Sequence, residues 1–523
     1  MVVSAFVLAA AVLSSPQDVS ATEVRAGTPI VAVTVVRHDV FDTDQPGTQA
    51  WPYRAANALH FLTREAFIRS QLLFKSGDLL DPTLLAESER ILRDHGFLNP
   101  VTINARPAPN GCEVVVETHD QWTTEVSANY GRFGQRSHAG ASMSEENLLG
   151  WGKRLLLNVE SENERNTVTF RYSDPLFLGR RLRLELARSN ATDGSLDQVA
   201  VESPFFALAT PYAGAVQWMR EEREQWLYSG GHKAVSGAVR QHSFELWGGM
   251  RLPSPNGITR RLRVGLFHRF VEFDGWRWQD GRPFEAPEDR AMAGVLVGVE
   301  RQPSRWTVVR GFRGWQRQED VSLGPRWVAS VGASLPALGA DRTRLLFGSE
   351  ASMAWMSGSW YSWTSMTVSG RLEGSRWVNG MTHVEAGTAR TGEQGWRARV
   401  AADLGYELDR DAQVTLGADT GLRGWEPDTF DGTSRVVSNL EWRRKLTGEV
   451  LHLGNLGVTC FADAGKTWGA RIGEPAHRWH ADVGAGLLVE LTRASVVRIV
   501  RVEVALPDDG RGPVLLATGT SLF

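Results

Sequence analysis

Gly421-Leu422-Arg423-Gly424-Trp425, read with Ser438-Asn439-Leu440-Glu441-Trp442-Arg443 and Phe461-Ala462-Asp463-Ala464-Gly465, is the stretch on which the fold turns. An arginine flanked closely by glycines can press its guanidinium against packed backbone, and inside a protein a carboxylate is the partner that pairs both arms of that fork. Asp463 is the candidate partner. Both segments lie between patterns in which apolar and polar residues alternate with period two, the signature of strands. The pair is therefore expected to join a loop to the interior of a strand and to pin that loop inside a hollow structure.

Order and spacing here resemble the BamA/TamA (bacterial surface antigen) family of outer-membrane assembly and secretion barrels. Arg423, Gly424 and Trp425 are similar to that family's Val-Arg-Gly-Phe/Tyr motif in an inward-folded sixth loop, and Phe461-x-Asp463-x-Gly465 to its Phe-x-Asp-x-Gly partner strand. A literal Val309-Arg310-Gly311-Phe312 occurs earlier. Context favours Arg423, which alone is followed by Asn-Leu-Glu-x-Arg, containing Glu441, then the Asp463 motif, then the chain end. The resemblance implies a barrel of sixteen antiparallel strands, one small α+β POTRA domain ahead of it, and a terminal-strand signal at Phe523. Asn147-Leu148-Leu149-Gly150-x-Gly152, Tyr172-Ser173-Asp174-Pro175, Pro204-Phe205-Phe206 and Glu319-Asp320-x-x-x-Gly324 extend the likeness along the chain.

Composition agrees with strands and turns rather than helices: 53 Gly and 20 Trp stand against 9 Met. Trp is what the interfacial girdles of a membrane barrel require. A formal net charge of −3 argues against a nucleic-acid partner. Mean hydropathy is −0.25, and no apolar run is long enough for a spanning helix, so a membrane role would need alternating strands. Val2 to Leu13 followed by Val19-Ser20-Ala21 reads as an export signal over residues 1–21. Cys112 and Cys460 are read as two unpaired, buried thiols.

Residues 22–121 carry the only helix punctuation. Ile30–Val36 reads as a strand, Asp42–Tyr53 as a loop, and Thr63–Phe74 and Pro82–Asp94 as helices. Asp81 can cap the second helix, Pro82 suits its first turn, and Gly96 can end it. Val101–Ala105 and Cys112–Glu117 complete a β-α-α-β-β order. Gly77-Asp78, Glu87-Ser88-Glu89-Arg90-x-Leu92-Arg93 and Gly96-Phe97-Leu98 are similar to POTRA landmarks. From residue 122 to 523 short alternating strands continue. Arg181–Leu186, Arg261–Val264 and Val500–Val504 each have one aliphatic and one charged face, as a barrel with lipid outside and water inside requires. Sixteen strands would take about 25 residues each with their connections, ample for membrane strands of roughly ten. Counted back from the C-terminus, Arg423 falls in a loop on the side opposite the chain end, with a motif loop of Gly421 to Ser434.

No Gly-x-Ser-x-Gly elbow or His-Glu-x-x-His helix is present, and His477, His480 and Asp482 lack an evident fourth ligand, so neither an enzyme, a cofactor nor a metal is expected. The expected function is that of an outer-membrane barrel. Its periplasmic domain would capture unfolded polypeptide clients by strand addition, with periplasmic accessory proteins as further partners, and the barrel would insert or translocate them through the outer-membrane lipid. A two-partner-secretion exporter of one dedicated substrate and a passive porin-like channel are the alternatives. A porin has no use for the β-α-α-β-β domain.

Overall fold

The computed structural model describes residues 24–133, 136–161, 165–254, 258–303, 305–469, 472, 478–495, 499–510 and 512–518. The expected signal at 1–21, His477 and Phe523 lie outside them. No helix among the described residues is long and apolar enough to cross a membrane.

From Thr124–Phe133 to Val514–Thr518, twenty antiparallel strands close into a barrel, not sixteen. A further short strand, Arg305–Val309, continues the line of Arg290–Gln302 after a break and pairs only with Glu319–Ser334. The count rose because alternation marks strands without marking their ends. Two-residue hairpins at Gly230-Gly231 and Gly358-Ser359 bring strands closer in sequence than an even division into sixteen allows, the first with positive φ at both glycines (59° and 80°). Tyr212–Ser229, His232–Leu252 and Thr259–Trp278 run 18, 21 and 20 residues, well past the roughly ten that cross a bilayer. Among the described residues, the first and last strands meet over Tyr130–Arg132 and Leu515–Ala517.

The alternation sorts side chains as a lipid-facing barrel needs. On Ile499–Pro507, Arg501 and Glu503 are buried inside while Val502, Val504 and Leu506 face out, and on neighbouring strands Leu440, Leu456, Val483 and Leu487 continue the outer aliphatic band. Cys460 faces out on the same band rather than being buried, and both cysteines are free. We expect the purified protein to need detergent and to migrate differently on gels before and after boiling. Recovery as a detergent-free soluble species would overturn the reading of the outer band.

The N-terminal domain forms a three-stranded sheet in which Gly111–Asp120 is central, parallel to Ile30–His38 and antiparallel to Leu98–Ala108. Its order is β-α-α-α-β-β rather than the expected β-α-α-β-β. The added helix, Trp51–Leu59, lies partly in the stretch read as a loop; Pro52 looks like a breaker but sits in the first turn, and no residue of the helix is buried. The next helix is Glu65–Gln71, shorter than expected, and Pro82–Asp94 has the expected ends, with Asp81 accepting from the Thr83 N–H at 2.8 Å. Phe67, Ile68, Leu85, Leu92, Val101, Cys112, Val114 and Val116 form the core between helices and sheet.

One buried acid bears on this domain's stability. Asp120 accepts from the Thr63 N–H and hydroxyl, both at 2.7 Å, yet burial outweighs these bonds and pushes its carboxyl up to about 6. A carboxyl raised in the folded state binds its proton more tightly there than in the unfolded chain, so stability is highest below the ordinary carboxylate range and falls as pH rises through about 6. Urea midpoints of fragment 24–121, followed by circular dichroism, should therefore drop between pH 4 and 7, and Asp120→Asn should flatten that drop. An unchanged slope in the variant would remove Asp120 as its source.

Candidate functional site

Where Glu407 to Thr433 connects two neighbouring strands, at the rim far from the N-terminal domain, the chain folds into the lumen. This connection is longer than the expected Gly421–Ser434 because Val414–Leu416 and Phe430–Gly432 pair with each other inside it rather than joining the barrel. Gly421, at φ 119°, makes the turn that presents Arg423, and its carbonyl accepts from Asn439 Nδ2 at 2.6 Å.

Arg423 Nε donates to Asp463 Oδ2 at 2.7 Å and Nη2 to Asp463 Oδ1 at 2.9 Å, a two-armed contact. Nη1 donates to Glu441 Oε2 at 3.0 Å and lies 3.6 Å from Glu503 Oε1, while the guanidinium carbon sits 3.5 Å from the centre of the Phe461 ring. Arg501 bonds both Glu441 and Glu503, at 2.5 and 2.7 Å. All of these charges are buried, with Arg423 only 1% exposed. Three carboxylates and two guanidiniums thus share one enclosed network, in which each charge is met by an opposite one.

The remaining motif residues fit the loop to the wall. A Cβ on Gly424 would come within 2.7 Å of Asp482 Cβ, and one on Gly465 within 2.9 Å of Leu416, so both glycines permit close approach. Trp425 is buried against Phe430 and His480, with centroids 4.8 and 4.9 Å apart, in a cluster with Leu416, Leu422 and Val437. His480 stacks on Phe430 at 3.7 Å, which gives it a packing role. The loop is also tied to other walls: Arg371 holds Asp409 at 2.5 and 2.7 Å, Arg290 holds Asp411 at 2.8 and 3.0 Å, and the Gly230 N–H donates to Asp431 at 3.0 Å. It therefore crosses the lumen rather than lining one side.

The literal Val309-Arg310-Gly311-Phe312 copy lies at the other rim. Arg310 is exposed, and the loop from it to Gln318 enters the lumen from the domain side. There Arg443, two residues beyond Glu441 on the same inward face, donates to the carbonyls of Arg313 and Gly311 at 3.1 and 3.2 Å and also to that of Phe312. Glu490 accepts from the Trp315 and Gln316 N–H groups at 2.5 and 3.2 Å. Sequence reasoning had Arg443 as a motif letter and Arg501 and Glu503 as water-facing charges, but nothing in their spacing announced which loops they hold.

This second loop also meets the N-terminal domain. Arg93 makes a two-armed contact with Asp320 at 2.7 and 2.8 Å, Asn99 Nδ2 donates to the Gln318 carbonyl at 3.0 Å, and Arg317 reaches the Gly96 carbonyl. Other expected landmarks lie along the same rim: Asn147 Nδ2 donates to Thr63 Oγ1 at 2.7 Å, the Arg64 N–H to the Gly150 carbonyl at 2.9 Å, and Gly152 leaves room for Phe67, whose ring would stand 2.3 Å from an added Cβ. The domain is thus docked across the barrel mouth.

No protein-family model matches the chain, and no curated protein matches it. Among solved structures it is similar to BamA from Haemophilus ducreyi lacking POTRA domains 1–3, at 13% identity and a TM-score of 0.38 over 93% of this chain and 84% of that one. It is similar to CdiB from Escherichia coli at 12% and 0.43, over 93% and 76%, and to the FrpB iron transporter from Neisseria meningitidis at 9% and 0.41, over 94% and 93%.

Proposed function

We propose that the chain is a non-catalytic outer-membrane barrel that inserts or translocates polypeptide clients captured by its N-terminal domain on the periplasmic side. The observation that carries this reading is the double closure of the lumen: one loop enters from each rim, and a folded domain lies across the mouth. A passive channel needs an open path, whereas a machine that admits a client on demand needs a path held shut by contacts that can be exchanged. The ion pairs and backbone bonds of both loops are contacts of that kind.

Capture falls to the sheet edge at Thr102–Arg106, the side of Leu98–Ala108 that has no strand beside it among the described residues. An extended client can add there by backbone bonds that ignore its sequence, with periplasmic accessory proteins delivering it. A photocrosslinker at the exposed edge residue Asn104 should trap clients in cells, and one at the equally exposed Arg54 on the added helix should not. Equal labelling at both positions would sink the capture reading.

A further inference from the structure

The face of the N-terminal sheet that the helices leave bare carries a cluster that neither loop closure nor capture uses. Val116, Thr118 and Asp120 point into the domain, so Glu117 and His119 point away from it, and the parallel register sets His38 directly beside His119. The two imidazoles stack with centroids 4.2 Å apart and planes 10° from parallel. Both Nε2 atoms turn toward the same carboxylate oxygen: His38 Nε2 is 2.9 Å and His119 Nε2 3.9 Å from Glu117 Oε1. Ligand atoms of all three residues lie within 4.8 Å of one another.

We propose that His38, Glu117 and His119 form a binding site for a divalent transition metal, with Zn2+ as the ion of choice. Two imidazole nitrogens and one carboxylate oxygen are a ligand set that suits Zn2+, and its bonds of about 2.0–2.2 Å in tetrahedral geometry put neighbouring ligand atoms about 3.3 Å apart. The separations of 2.9 and 3.9 Å straddle that value, but the near-parallel stack sends the two Nε2 lone pairs along separate planes, so one ring must leave the stack by turning about its terminal side-chain torsion, which is soft for histidine, before both nitrogens face one ion. The three side chains are about two-fifths exposed, which gives the ion a path in from solvent. Asp42 and Arg493 act on His119, one of each sign, so their effects on an incoming cation oppose each other. Three protein ligands leave a fourth position for water or an incoming group. A bound ion would clip the end of Ile30–His38 to Gly111–Asp120, just before the chain enters the barrel.

Calorimetric titration of the tag-free, full-length protein in detergent with Zn2+ tests this. One ion per chain is expected in the wild type. His38→Ala, His119→Ala and the isosteric Glu117→Gln should each weaken binding by at least about tenfold, the loss seen even when a group behind a metal ligand is removed. His383→Ala, which alters an unrelated lumenal histidine paired with Asp403 at 2.7 Å, should leave binding unchanged. Heat-modifiable migration would confirm that each variant's barrel is folded, and protected amides in the central strand Gly111–Asp120 that its N-terminal domain is. Absence of stoichiometric binding in the wild type, or wild-type affinity in folded His119→Ala and Glu117→Gln, would overturn the proposal.

Discussion

Arg423→Ala is expected to free the far-rim loop at a cost of about 3–5 kcal/mol while leaving the barrel closed, because the change strands buried carboxylates rather than breaking a strand ladder. Asp463 would lose both arms of its contact, and Glu441 and Glu503 would be left to share Arg501. An exposed pair would be worth only about 0–1 kcal/mol, and burial at 1% exposure decides between the two figures. Arg423→Lys should recover little, since an ammonium cannot fill the two-armed site and loses the flat stacking on Phe461. Asp463→Asn combined with Arg423→Ala should cost much less than the two changes summed, because no unmatched charge remains at that pair. The checks are hydrogen exchange of the loop amides and client handling in cells. A coupling energy near zero, or a larger defect from exposed Arg310→Ala, would show that the latch lies elsewhere.

The Arg423–Asp463 contact was readable in sequence because its chemistry is local and costly. A guanidinium between glycines and a carboxylate on a strand whose alternate residues are small or apolar fit together inside something hollow, whereas Glu441 stood only as a motif letter and its place as a second partner comes from the structure. Counting strands back from the end placed them correctly, since the last five strands have clear turns between them. Strand number was not readable in the same way. Alternation has no long-range ruler, and hairpins as tight as Gly230-Gly231 leave no composition shift between one strand and the next. The helix Trp51–Leu59 stayed hidden for a different reason: Pro46, Gly47 and Pro52 crowd its start, and such residues read as a loop although Pro52 is tolerated in the first turn.

The domain-side loop illustrates a third limit. Gly311 to Gln318 is held largely through its own backbone, by Arg443 on carbonyls and by Glu490 on N–H groups, and backbone partners leave no mark on the sequence of the segment they hold. What sequence did contain were the ends of the connection. The Glu319-Asp320 and Leu92-Arg93 landmarks stood far apart as separate patterns, and only the closed barrel brings Arg93 onto Asp320.

Asp320→Ala should therefore undock the N-terminal domain, and the size of the effect follows from what Arg93 keeps. Its side chain is 5% exposed and would lose two charge-assisted bonds but retain Glu89 one turn earlier on the same helix. Retaining one partner places the loss below that of a fully stranded charge, at about 2–3 kcal/mol. Arg90 over the Trp306 ring at 4.5 Å and the Asn99–Gln318 bond persist, so undocking should be an equilibrium shift rather than a loss of folding. At about 1.4 kcal/mol per factor of ten, exchange of amides that bridge domain and rim should quicken roughly 30- to 140-fold. The Arg64 N–H on the Gly150 carbonyl and the Leu208 N–H on Glu87 are the reporters, while amides in the core strand Gly111–Asp120 should hold their protection. Adding Arg93→Ala should cost little more docking, since the contact it would break is already gone. Should the bridging amides exchange at wild-type rates in Asp320→Ala, the Arg93 contact would not be what seats the domain on the barrel, and the path from domain through loop to Arg443 would lose its first link.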